Sequence, residues 1–384
     1  MFACMPLART FRPLVAIALF GAGTAVPTGA RAQVAAETVG PVAGQLAPDG
    51  TPEQLFAFID RLRNPEDKPN TREEMLAYFE YASNASIQAA ERILAQVQPG
   101  DPAHARAALI KLETLRKLGD MGSERAAADM VTYAASLVAS PDKALAREAQ
   151  RCLVVADMSK ATEDEDFTGV PGIVARAAEL LAADPDDPQT AGLCLQIAMA
   201  LEQASGGEEH AAAAYRTFAP LFAKSGDRRT REVAESIDGT LLRLSLPGKP
   251  LKITGNLLDG TAFDPQSVAG KVVLVDFWAT WCGPCLEEIP NILAAYEKYH
   301  AKGFEVVGVS VDDEREAVAA LLQAKPLPWP ILFGDGFNGP MAKRYGIIGI
   351  PQLILVGRDG NVICLNAKGD VLHERLAELF PDAR

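Results

Sequence analysis

The chain has 384 residues, a formal net charge of −13 and a hydrophobic fraction of 48%. This length is sufficient for two domains with cores of their own, and the normal apolar content argues against global disorder. The acidic balance, without a basic stripe interleaved with aromatic residues, argues against nucleic-acid binding, because an acidic surface repels phosphate groups.

The first 32 residues have the pattern of a cleaved signal peptide. Two arginines precede an apolar segment at 14–26, which is too short for a comfortable membrane span, and a small-x-small cleavage site ends at Ala32. We therefore expect export to the periplasm or another extracytoplasmic compartment. Membrane association is expected only if the segment stays uncleaved as an anchor. Residues 33–50 are rich in Ala, Gly, Val and Pro, which predicts a flexible leader.

The sequence pattern of residues 51–246 predicts an all-α domain of eight or nine helices. Apolar residues recur every three or four positions, and the connections carry Pro, Gly and Asp. No strand pattern interrupts this series, so we expect antiparallel helix pairs in a helical-repeat-like arrangement, without a firm repeat period. Such a surface could bind a protein partner or act as a structural spacer, and the sequence leaves both possibilities open.

Residues 247–384 predict a second, α/β domain. A break at 244–250 ends the helical pattern, and apolar strand patterns follow at 271–278 and 304–311. A hairpin should form from "KITGNLLDGTAF" before these strands, a helix should start between them, and another helix should cover 314–324. A second hairpin should form from "PQLILVG" and "VICLNA" before a closing helix. Strands that alternate with helices predict a central mixed sheet with helices on both faces.

The most informative stretch is "VDFWATWCGPC" at 275–285. Cys282 is expected at the N-terminus of a helix, where unpaired N–H groups and the helix dipole stabilise a thiolate. Gly283 permits a tight turn, and Pro284 suits the first helical turn because it lacks an N–H. Cys285 follows about one turn later, close enough to close a small disulfide. The pattern therefore predicts a dithiol that opens and closes.

Other cysteine functions have weaker support. A zinc site needs four ligands, but no second C-x-x-C exists and the four histidines are scattered, so we expect no metal and no cofactor. Cys152, Cys194 and Cys364 are expected to be small core residues. A bridge between Cys152 and Cys194 is left open.

Several segments resemble known proteins. "FWATWCGPC", with "YGIIGIP" further on, resembles the thioredoxin superfamily, and the flanks "LDGTAFDPQSVAGKVVLVDFW" and "VGVSVDDEREAV" resemble exported TlpA/ResA-like thiol–disulfide oxidoreductases. The resemblance covers about residues 249–384 and not the helical part. It implies a thioredoxin-like fold and an enzyme that exchanges disulfides with protein partners through a mixed disulfide. An upstream electron donor is also implied, and the sequence does not name it.

Two other functions are compatible with parts of the sequence, a peroxiredoxin-type peroxidase and a binding protein. Peroxiredoxins place their nucleophile in Pro-x-x-x-Thr-x-x-Cys, but Val275 and Ala279 occupy the Pro and Thr positions of that motif here. The second rival is a helical-repeat adaptor whose thioredoxin-like domain is accessory.

Two carboxylates are candidates for proton transfer. Asp276 lies in an apolar strand, where thioredoxins keep a buried acid, and burial would let it exchange a proton with Cys285. An ion pair with a nearby lysine is the alternative. Glu288 follows Cys285 by three residues on the same helix face, where ResA-like proteins carry a Glu, although an acid is also favourable early in any helix. Which acid serves Cys285 is left open.

The resemblance also implies a partner-binding surface. Pro351 would follow a cis peptide bond and lie against the cysteines, and the backbone of Ile350 would pair with an incoming peptide as an added strand. Trp281, with Gly283 and Pro284, would shield the dithiol and contact the partner. An ordinary trans proline at the start of a strand is the alternative for Pro351.

Overall fold

The computed structural model describes residues 46–66, 68–204, 206–334 and 336–383. The predicted signal peptide and most of the predicted leader lie outside the described residues. At the end of the leader, the amides of Leu46 and Ala47 donate to Gln88 Oε1 at 2.8 and 2.6 Å. Within the described ranges, no helix has both the length and the apolarity that a membrane span requires.

Nine helices occupy the first part of the described chain, in agreement with the predicted number. They are α1 (Pro52–Arg63), α2 (Arg72–Leu94), α3 (Pro102–Asp120), α4 (Glu124–Leu137), α5 (Lys143–Glu163), α6 (Val170–Ala183), α7 (Pro188–Gln203), α8 (Glu208–Phe222) and α9 (Arg228–Leu244). Thr51 and Thr71 form capping boxes, and aspartates cap α3, α5, α7 and α9, so local side chains set where these helices begin.

The nine helices, here called the helical half, form a stack. Each helix packs against the next along the chain, and α3–α5, α5–α7 and α6–α8 also contact each other. The helical-repeat character of this stack stays a prediction. Cys152 and Cys194 are free thiols inside it, so the possible bridge between them is not formed.

The remaining chain, here called the dithiol half, contains a six-stranded mixed sheet. Its strands are β1 (Asn256–Leu257), β2 (Val272–Trp278), β3 (Phe304–Ser310), β4 (Ile331–Phe333), β5 (Gln352–Val356) and β6 (Val362–Cys364). The order is β1-β4-β3-β2-β5-β6, in which β2, β3 and β4 are parallel and the other strands are antiparallel to their neighbours. Every residue of β2 and β3 is buried, as expected where both faces of a sheet are covered.

In the described residues, four α-helices accompany the sheet: α10 (Gly283–Tyr299), α11 (Arg315–Ala324), α12 (Pro340–Arg344) and α13 (Asp370–Leu379). The predicted mixed sheet with helices, the β5–β6 hairpin and the helix at the cysteines are confirmed. Strand β4 and helix α12 had no counterpart in the sequence prediction.

The two halves share hydrophobic core. One continuous cluster of buried side chains extends from Val154 in α5 to Phe380, and it includes Phe218 of α8 and Val275 of β2. The domain boundary at residue 246 stays a prediction.

Candidate active site

The dithiol lies where strand β2 is followed by helix α10. Cys282 and Cys285 form a disulfide, with their Cα atoms 5.3 Å apart. Cys282 is the N-cap of α10, and its Sγ accepts a hydrogen bond from the amide of Cys285 at 3.2 Å. Both cysteines are buried, with exposed fractions of 6% and 2%, whereas Gly283 and Pro284 are exposed. A helix N-terminus that donates to the first sulfur stabilises negative charge on it.

Asp276 lies in the middle of β2, six residues before Cys282. It is paired with Gly308 of β3 on one side and with Leu353 of β5 on the other. Burial raises the pKa of the Asp276 carboxyl to about 7, and the negative charge of Glu288 adds to this effect. No positive charge contributes to the shift, so the alternative of a lysine pair finds no support in the described structure.

Glu288 is half-buried on α10 and has fixed partners. Its Oε1 accepts from Asn291 Nδ2 at 2.6 Å and from the amide of Gly369 at 2.8 Å. On its other side, Asn291 Oδ1 contacts His373 Nε2. These contacts connect α10 to the start of α13, so Glu288 is engaged in a structural network next to the site.

Asp312 is a site residue that the sequence reasoning missed. It is buried just beyond the end of β3, and its carboxylate accepts from the Thr280 amide at 3.1 Å and from the Thr280 hydroxyl at 2.6 Å. Ser310 Oγ donates a further hydrogen bond at 2.8 Å. Asp312 therefore holds the segment that leads into Cys282. The available signal was its position after a buried strand, because the carboxyl ends of parallel strands meet at one edge of a sheet.

Two aromatic rings are exposed beside the dithiol. Trp281 is 62% exposed, and its ring centroid lies 6.3 Å from that of Phe337 in a tilted arrangement. Trp278, by contrast, is fully buried in the core. The sequence reasoning did not identify Phe337, which reaches Trp281 from the short 3-10 helix Gly336–Asn338.

The Ile350–Pro351 peptide bond is cis, and both residues are half-buried at the start of β5. The contact of Pro351 with the two sulfurs stays a prediction. No cluster of three or more metal-ligating side chains occurs in the part of the chain that the structure describes.

Comparisons with known proteins agree with this geometry. The Redoxin family model matches residues 247–378. Thiol-disulfide oxidoreductase ResA of Bacillus thuringiensis subsp. konkukian is 35% identical over 121 residues, which cover 32% of this chain and 68% of the relative. ResA of Halalkalibacterium halodurans is 28% identical over 123 residues, with the same two coverages.

A solved structure shows a similar domain. The thioredoxin domain of a thiol-disulfide oxidoreductase from Bacteroides vulgatus is 30% identical, with coverage of 34% of this chain and 96% of that chain and a TM-score of 0.32. The mixed sheet, the dithiol at the start of α10 and the ResA relatives support one assignment. The chain belongs to the TlpA/ResA-like thiol–disulfide oxidoreductases of the thioredoxin superfamily, and it is an enzyme of that class.

Proposed function

We propose that this protein reduces disulfides of partner proteins outside the cytoplasm, with Cys282 as the attacking thiol. One observation carries the order of attack: Cys282 Sγ caps α10 and accepts the amide of Cys285, so Cys282 is the sulfur whose thiolate is stabilised.

The proposed exchange transfers two electrons. The Cys282 thiolate attacks one sulfur of the partner disulfide, which forms a mixed disulfide and releases the other partner sulfur as a thiolate. The Cys285 thiolate then attacks Cys282, which releases the second partner thiol and leaves the Cys282–Cys285 disulfide. An upstream dithiol donor returns two electrons and two protons to the enzyme.

We assign proton exchange with Cys285 to Asp276 rather than to Glu288. The buried Asp276 carboxyl has its pKa raised to about 7, so it can both hold and release a proton near neutral pH. Glu288 is engaged with Asn291 and Gly369.

The proposed partner surface combines the exposed rings of Trp281 and Phe337 with Gly283, Pro284 and the backbone of Ile350. The rings offer apolar contact beside the sulfurs, and the start of β5 offers a backbone for an added strand. Protein disulfides in flexible segments are therefore the proposed substrates.

The redox potential of the dithiol tests the direction of exchange. Thioredoxin, which is a reductant, has a potential of about −270 mV, whereas the oxidant DsbA has one of about −120 mV. We expect a value near the thioredoxin end when the protein is equilibrated with glutathione and the dithiol is quantified by thiol labelling. A value near −120 mV would overturn the reductase proposal.

Export is tested separately. If the signal is cleaved, N-terminal sequencing of the exported protein should begin at Gln33. Recovery of the exported protein with Met1 intact would indicate an anchor instead.

The adaptor function remains the alternative, and one observation favours it. The stacked helices offer a broad surface to a protein partner, and Met75, Leu76 and Met121 are among its exposed residues. An adaptor should keep its biological activity in a Cys282→Ser/Cys285→Ser double variant, whereas an enzyme should lose it.

A further inference from the structure

Helix α9 of the helical half lies in backbone contact with the segment that precedes the cis bond. A Cβ on Gly239 would lie 2.5 Å from the amide nitrogen of Gly346, and a Cβ on Gly346 would lie 2.0 Å from that of Thr240. Gly346 also has a φ of +56°, a conformation that favours glycine. Two glycines therefore let α9 and this segment approach without side chains between them.

Polar side chains of α9 reach the same segment, residues 345–352, here called the edge segment. Thr240 Oγ1 donates to the carbonyl of Gly346 at 2.8 Å, and Arg243 Nε donates to the carbonyl of Tyr345 at 3.0 Å. Arg243 Nη1 also lies 3.3 Å from Gln352 Oε1. A single guanidinium therefore contacts both ends of the edge segment.

Arg243 is itself fixed by a buried ion pair. It is 3% exposed, and its Nη1 lies 2.6 Å from Glu202 Oε2 of α7. The hydroxyl of Tyr215 donates to the other carboxylate oxygen of Glu202. Hydrophobic packing could join two elements as firmly as a buried ion pair, but the planar fork of an arginine also sets the direction of its hydrogen bonds.

Gln352 links this network to the catalytic strand. It directly follows Pro351, and its backbone pairs with Phe277, the neighbour of Asp276 in β2. Its side-chain amide donates to the carbonyl of Leu365, so both ends of the side chain are held. Met199 of α7 adds an apolar contact, because its Cε would lie 3.0 Å from a Cβ on Gly349.

We propose that Arg243, held by Glu202, is a positioning residue for disulfide exchange, because it holds the edge segment where a partner peptide pairs with it. This inference rests on the proposed pairing of a partner with Ile350. Without the fork, the carbonyl of Tyr345 and the side chain of Gln352 lose their shared donor. Binding of a protein disulfide should then weaken, while the reaction at the sulfurs should not change.

The test compares a protein disulfide with a small one in the full-length chain. For Arg243→Gln we expect KM for insulin to rise about tenfold with kcat within about twofold, while kcat/KM for 2-hydroxyethyl disulfide, which cannot pair as a strand, stays within about twofold. Arg243→Lys keeps the charge but loses the fork, and should raise KM for insulin by about threefold.

Arg151→Gln is the matched control. Arg151 is also largely buried and ion-paired, but its partners Glu148 and Asp187 belong to the helical half. This variant should leave KM and kcat unchanged for both substrates. The inference would be overturned if Arg243→Gln lowered kcat/KM equally for both substrates or for neither. It would also be overturned if Arg151→Gln raised KM for insulin and left the small disulfide unaffected.

A second variant provides the test if Arg243→Gln does not fold. Thr240→Val removes only the hydroxyl that donates to Gly346, at nearly constant volume. It should raise KM for insulin by about twofold to threefold and leave kcat/KM for 2-hydroxyethyl disulfide unchanged. Absence of that difference between the substrates then overturns the inference. Failure of the unmodified protein to reduce insulin would refute the proposed function instead.

Discussion

The helical half and the dithiol half differ in the polar groups that they bury. Among the described residues, the helical half mainly buries the hydroxyl groups of serines and threonines, such as Thr114, which donates to the carbonyl of Ile110. Its most deeply buried ion pair, Arg243 with Glu202, lies where the halves meet. The dithiol half buries the carboxylates of Asp276, Glu305 and Asp312. A buried charge lowers stability unless it is paired. The buried carboxylates of the dithiol half therefore indicate a region where the position and the pKa of side chains matter more than the stability of the fold.

Cysteine substitutions give the sharpest test of the comparison. Cys282→Ser should abolish insulin reduction because the attacking sulfur is lost, and Cys285→Ser should accumulate mixed disulfides because the resolving sulfur is lost. Activity assays and non-reducing gels check both outcomes. Cys194→Ser, a buried thiol of the helical half, is the control and should exchange normally. Mixed disulfides that accumulate with Cys282→Ser would reverse the order of attack.

Two helical glycines test how closely the halves are joined. Gly239→Ala forces a Cβ against the backbone of the edge segment and should lower the free energy of unfolding by about 1–3 kcal/mol. A Cβ on Gly192 of α7 would meet no atom within 4 Å. Gly192→Ala should therefore raise the free energy of unfolding by up to about 1 kcal/mol, because alanine has the higher helix propensity. Urea unfolding measures both. Equal effects at the two positions would mean that α9 does not touch the edge segment in solution.

Asp276→Asn tests the buried acid through pH. The folded pKa of about 7 lies above the unfolded value of about 4, so the folded state binds the proton more tightly and wild-type stability should fall as pH rises between these values. The slope should be about 1.4 kcal/mol per pH unit, and Asn removes it. Chemical unfolding at pH 4.5, 6 and 7.5 checks this. Asp129→Asn, on the exposed surface of α4, should keep the wild-type profile.

Trp281→Ala should have the smallest effect. Loss of an exposed ring beside the dithiol should raise KM for insulin by about threefold without changing the reaction with 2-hydroxyethyl disulfide. Met121→Ala, which removes an exposed apolar side chain from the helical half, should leave both unchanged. Weaker insulin reduction with Met121→Ala would indicate that the helical half binds the substrate directly.

The sequence was sufficient wherever a structure depends on neighbours along the chain. Helix starts follow from caps such as Thr71, and β2 and β3 follow from continuous apolar runs. The position of Cys282 at the start of α10 follows from the Gly-Pro spacer and the preceding strand. Strand β4 escaped detection because it has three residues and, unlike the equally short β6, no adjacent turn joins it to a neighbouring strand of a hairpin.

Only the tertiary structure decided the contacts between distant segments. Arg243 and Gln352 are 109 residues apart, and Thr240 and Gly346 are 106 apart, yet both pairs are in hydrogen-bond contact. Asp312 reaches Thr280 because the parallel strands β2 and β3 end at the same edge of the sheet. Caps, turns and hydrophobic periods describe only a few residues at a time. The packing of the helical half against the edge segment depends on how whole elements fit together, which no local pattern records.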